Sequence, residues 1–86
     1  MANYKVVFKR SVAKDLRRIS NQDVARILSR IEALASDPRL GAEKLSRQER
    51  YRIRQGIYRI IYEIVDQELI VTIVKVGHRR DVYKNR

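Results

Sequence analysis

The chain has 86 residues, 44% of them hydrophobic, with one proline and no cysteine. That length fits one domain spanning residues 1–86, and a domain this small buries only about 60% of the surface its unfolded chain exposes. The absence of cysteine excludes disulfides, a thiol nucleophile and thiolate metal sites.

No apolar stretch approaches the roughly 18 residues of a membrane span. The opening "MANYKVVFKR" has no apolar core of a signal peptide, so a cytoplasmic location is expected. Twenty Lys and Arg against ten Asp and Glu leave a net charge of +10. An excess of this size on a small domain points to a polyanionic partner, above all nucleic acid. It is unevenly placed: residues 44–59 and 75–86 hold eleven of the twenty basic groups and two of the ten acidic ones. If the fold brings these two segments together, they form one strongly positive surface.

In chain order, "NYKVVFKR" alternates, with Tyr4, Val6 and Phe8 to one side, which is strand periodicity. Ser11 is placed to cap a short helix carrying Val12, Leu16 and Ile19 at helical spacing. Asn21 is placed to cap a second, with Asp23 favourable in its first turn. Val24, Ile27, Leu28, Ile31, Leu34 and Ala35 form its apolar stripe. Asp37-Pro38 ends it, because the residue before proline disfavours helix. "RLGAEKLSRQE" reads as a loop, pinned to the core by Leu40 and Leu45. Three strands follow. "RYRIRQ" alternates Tyr51 and Ile53 with arginines, "YRIIYEIV" alternates about Ile60 and Tyr62, and "ELIVTIVKV" is apolar on both sides like a central strand. Gly56 and Asp66-Gln67 serve as the two turns.

The expected class is therefore α+β, in the order β-α-α-β-β-β. The helix hairpin packs on one face of a small, mostly antiparallel four-stranded sheet. The other face stays open.

That open face carries the chemistry. Arg52 and Arg54 are two apart on a strand and project to one side, with Arg59 just across the turn. Three guanidinium groups so close repel one another, an arrangement that suits a bound phosphate, which arginine holds bidentately. The last strand ends at Gly77, and Arg79, Arg80 and Tyr83 follow. A tyrosine among arginines can stack on a base or have its pKa lowered toward a catalytic range. His78 is the only histidine. With no cysteine and no acidic cluster near it, it offers no metal site, and no cofactor is implied. The His/Glu pair of many small ribonucleases is missing. Phosphate chemistry here would rest on charge stabilisation and unusual acid–base groups.

These residues carry a resemblance. "YRIRQGIYRIIYEI", "VKVGHRRDVY", the helix hairpin and the "KLS" before the meander are similar to the RelE branch of the RelE/ParE superfamily. These are the toxin halves of bacterial and archaeal toxin–antitoxin pairs, and the likeness covers essentially all 86 residues. It implies a RelE-like, microbial-ribonuclease-like fold. It further implies a ribosome-dependent endoribonuclease that enters the A site, cuts mRNA without a metal and so blocks translation. Arg59 and Arg79 would hold the scissile phosphate, and Tyr83 would stack on a base and orient or deprotonate the 2′-hydroxyl. Arg52 and Arg54 fall where the best-known members have lysines. An arginine does not give up its proton, so these two would act through charge alone. That makes His78, with an ordinary pKa of about 6.5, a candidate acid or base. Arg47, Arg50, Lys75, Arg80 and Lys84 would extend the surface for RNA and the ribosome. The implied partners are a cognate antitoxin and the ribosome with its mRNA and ribosomal RNA. Two other readings stay open: a ParE-type poison of DNA gyrase and a noncatalytic basic RNA-binding module.

Overall fold

A computed structural model describes residues 3–45 and 49–78. The alternating start forms β1 (Lys5–Phe8), followed by α1 (Arg10–Arg17) and α2 (Asn21–Glu32), which continues into a 3-10 turn over Ala33–Ala35. Four strands follow: β2 (Glu43–Leu45), β3 (Arg50–Gln55), β4 (Tyr58–Val65) and β5 (Ile70–His78). They form a five-stranded sheet in the order β1-β5-β4-β3-β2. Only β1 and β5 pair in parallel; the other three pairings are antiparallel.

The fold class is as expected, with one strand more. Glu43–Leu45 was expected to be loop, but it pairs with Arg50–Arg52 as an edge strand. Both caps also shift, the first by two residues and the second by one. Lys9, not Ser11, precedes α1 and contributes no side-chain bond, so Ser11 lies inside the helix. Ser20, not Asn21, caps α2, its hydroxyl accepting from the Asp23 amide at 3.3 Å. Serine serves here because its oxygen reaches a free amide of the first turn.

The helices bury their apolar stripes against one sheet face. Val12, Ile27, Ile31 and Leu34 meet Ile53, Ile60, Tyr62, Val71, Ile73 and Val76, all essentially inaccessible to solvent. Burying each such aliphatic side chain contributes roughly 1.5–3 kcal/mol. The β3–β4 hairpin turns at Gly56 with φ 61°. A two-residue connection with a positive φ at its first position matches the right-handed twist of the strands, and glycine takes that φ without a steric penalty.

The segment before β2 is held by polar groups rather than by Leu40, which is 65% exposed. Tyr62 donates from its buried hydroxyl to the Pro38 carbonyl at 2.5 Å, and burial pushes that hydroxyl up to about 12. Arg39 lies with its guanidinium carbon 5.4 Å from the Tyr51 ring centre and grips Asp66 through two bonds of 3.1 and 2.8 Å. Tyr4 donates to the same carboxylate at 2.6 Å. One aspartate thus ties the approach to β1, the segment after α2 and the β4–β5 turn.

Hydrogen bonds from Arg39 and Tyr4 hold the Asp66 carboxyl down at about 2. Its pKa is depressed on folding. Its contribution is therefore complete above the unfolded value near 3.9 and is lost as pH falls through the folded value. Asp66→Asn should lower stability at pH 6, and the gap from the unaltered chain should close between about pH 4 and pH 2. Denaturant unfolding of both chains across that range checks this; a gap that is independent of pH would contradict it.

Candidate anion-binding face of the sheet

In β3, Tyr51 and Ile53 point into the core, so Arg50, Arg52 and Arg54 point to the opposite face. The β3–β4 register then fixes their neighbours: Arg50 faces Glu63, Arg52 faces Ile61 and Arg54 faces Arg59. Directly opposed side chains lie about 5 Å apart at Cβ. Two arginines that the sequence separates by five positions are therefore cross-strand neighbours.

The arginines are not equivalent. Arg50 donates from Nε to Glu63 at 2.8 Å. Arg52 is ion-paired with Glu43 on β2, and its side chain is only 15% exposed. For Arg54, no carboxylate lies within ion-pair distance among the described residues. Arg59 donates to its neighbour's carbonyl, on Tyr58, at 3.4 Å. Among the described residues, the acidic groups of the sheet thus offset Arg50 and Arg52, and beyond these two pairs Arg54 lies opposite Arg59. The face is less bare than expected, since Ile61, which shares it, is 6% exposed.

Across β4–β5, Arg59 faces Gly77. Glycine brings no side chain to that position. The register reaches Gly77 through a bulge. Tyr62 faces Ile73 but Ile61 faces Lys75, so Val74 is an extra residue. An inserted residue shifts the alternation by one. Val71 and Ile73 point to the core before it, and Val76 and His78 share that side after it.

His78 therefore lies opposite Tyr58, with ring centres 6.4 Å apart and edges to faces. The Tyr58 hydroxyl reaches Asp23 of α2 at 3.4 Å, and burial followed by that carboxylate raises its pKa. The sheet separates His78 from Arg54 and Arg59, which corrects its expected place among them. Lys75, expected on the RNA-binding surface, has its ammonium engaged by Asp15 of α1 at 3.2 Å. Asp15 itself had no sequence signal, because a carboxylate on a basic helix reads as surface. The expected site residues Arg47, Arg79, Arg80, Tyr83 and Lys84 lie outside the described residues.

A basic sheet face backed by two helices defines a small α+β protein. Residues 6–83 match the family described as "ParE toxin of type II toxin-antitoxin system, parDE", and the chain belongs to that family. Within the RelE/ParE superfamily it is of RelE type. It is 30% identical to Toxin RelG of Mycobacterium tuberculosis over 94% of this chain and 97% of that protein. It is 23% identical to the mRNA interferase toxin RelE of Escherichia coli over 88% of this chain and 83% of that one. It also resembles a chain in the crystal structure of the toxin–antitoxin complex RelBE2 of M. tuberculosis, with a TM-score of 0.83 and 27% identity. That match covers 91% of this chain and 100% of the other. The protein is thus the toxin component of a type II toxin–antitoxin system. Among the described residues, no helix is long and apolar enough to cross a membrane.

Two like charges set directly opposite cost stability. Arg54→Gln should therefore raise the unfolding free energy at low ionic strength by about 0.5 kcal/mol. The gain should vanish near 1 M salt, where screening acts within about 3 Å. Urea titration at both salt concentrations checks this; a loss of stability at low salt would contradict it.

Proposed function

We propose that this toxin is an endoribonuclease that cuts mRNA in the A site of the translating ribosome, and that it acts in the cytoplasm. The observation that carries the reading is the Arg54–Arg59 pair on the sheet face that the helices leave uncovered. It is supported by the name of a relative, mRNA interferase toxin RelE.

The chemistry needs no cofactor. The 2′-hydroxyl of the nucleotide before the cut attacks the adjacent phosphorus, and the bond to the 5′-oxygen breaks. A 2′,3′-cyclic phosphate results, which water can open to a 3′-phosphate, and the departing 5′-oxygen takes up a proton from solvent or the site to become a 5′-hydroxyl. Negative charge grows on the phosphoryl oxygens in the transition state. Fixed guanidinium groups stabilise it there without reorganising. Arg59 and Arg79 hold the scissile phosphate, and Arg52 and Arg54 add positive potential. Tyr83 stacks on a base and orients or deprotonates the attacking hydroxyl. Arg47, Arg50, Arg80 and Lys84 bind the surrounding RNA. His78, on the far face, takes no part. A cognate antitoxin is the second partner. An acidic, partly disordered segment suits a +10 chain, and the RelBE2 neighbour was solved as a toxin–antitoxin complex.

Primer extension on an mRNA in a reconstituted translation reaction tests the reading. Discrete cuts inside codons are expected only when ribosomes are present. Tyr83→Phe should leave ribosome binding intact and slow cutting by about 100-fold, within the range of lost acid–base catalysis. His78→Ala should cut like the unaltered chain. If folded protein makes no cuts in either arm, the nuclease reading fails. The family description carries the ParE name, so a supercoiling assay with DNA gyrase then tests the poison reading.

A further inference from the structure

The end of β5 is held unevenly. β1 pairs with β5 only through Ile70 to Ile73. The last backbone bond on that edge runs from the Lys9 amide to the Ile73 carbonyl at 3.0 Å. Val74 is then the extra residue of the bulge, where the ladder to β4 is interrupted. Among the described residues, Lys75 to His78 thus have β4 on one side and no strand on the other. These residues set Gly77 beside Arg59 and lead, in sequence, to Arg79 and Tyr83.

Asp15 of α1 stands where the missing strand would be. Its Oδ2 accepts from the Val76 amide at 3.1 Å, and its Oδ1 accepts from the Lys75 ammonium at 3.2 Å. The side chain is 11% exposed. Bonds in which the acceptor is ionised are shorter and stronger than neutral ones. Asp15 is no part of the apolar cluster that holds α1 to the sheet, where Val12 and Leu16 serve.

We infer that Asp15 is a positioning residue for RNA cleavage. By holding the Val76 amide it locks the segment after the bulge in register, so that Gly77 stays opposite Arg59. This rests on the proposed nuclease activity, but the hold on β5 can be measured without it.

The test has two readouts on the full chain. In the free protein, Asp15→Ala should speed amide hydrogen exchange at Val76 and Gly77 at least tenfold and leave Tyr51 and Ile53 of β3 unchanged. On programmed ribosomes, the same variant should cut mRNA with kcat at least tenfold lower and KM within twofold of the unaltered chain. Asp15→Asn, which keeps an oxygen acceptor for the Val76 amide, should recover most of both. Three results would overturn the inference: unchanged exchange at Val76, an unchanged kcat beside faster exchange, or acceleration spread equally over β3. An unaltered chain that cuts no mRNA would instead sink the nuclease reading, while the exchange data would still decide whether Asp15 holds the strand.

Discussion

In the pairing of β3 with β4, Arg54 stands across from Arg59 while Ile53 stands across from Ile60 on the other face. One register makes both the core and the cationic face. Gly56 fixes it by closing the hairpin in two residues at φ 61°. A slip of one residue would send every side chain of the strand to the wrong side, exposing Tyr51 and Ile53 and burying arginines. The hydrophobic term therefore enforces an electrostatic arrangement that is unfavourable by itself. Opposed like charges are destabilising by some 0.2–1 kcal/mol. Burying Ile53 and Ile60 outweighs that several times over.

The remaining charges sharpen this focus. Glu43 and Glu63 engage Arg52 and Arg50, so the outer part of the arginine row is locally compensated. The row grows more positive toward the hairpin turn and the end of β5. In the proposed reaction the phosphate goes to Arg54 and Arg59, which lie beyond the compensated pairs. The short strand β2 has its place in this design, because it brings Glu43 to Arg52. At the other end of the sheet, Asp66 gathers Arg39 and Tyr4. The strand ends there are clasped by polar bonds, away from the cationic end.

Much of this was legible in the sequence wherever local periodicity carries the signal. The α2 stripe, the alternation of Tyr51 and Ile53 with arginines, and the glycine turn each follow from the spacing of neighbours. So did the union of Arg52, Arg54 and Arg59 on one face. What was not legible depends on contacts distant in sequence. β2 has three residues, too few to show a period, and exists because β3 lies beside it. The pinning of the segment before it passed to Arg39 and Pro38, whose partners Asp66 and Tyr62 are 27 and 24 residues away. His78 was misplaced for a related reason. "IVTIVKVGH" contains nothing that marks Val74 as an inserted residue, and the bulge there reverses the phase of all that follows. That one residue sends His78 to Tyr58 and Gly77 to Arg59. The stretch from Arg79 to Tyr83 lies outside the described residues.

The central claim is that Arg59 is kept for its action on phosphate and not for the stability of the sheet. Single-turnover cleavage of ribosome-bound mRNA and denaturant unfolding, both measured on Arg59→Gln, test it most directly. The account predicts cleavage slowed by about 100-fold or more, as for loss of a fixed donor at a developing charge. It also predicts a chain at least as stable as the unaltered one at low salt. Cleavage at the unaltered rate, or a loss of cleavage matched by a loss of stability, would contradict it.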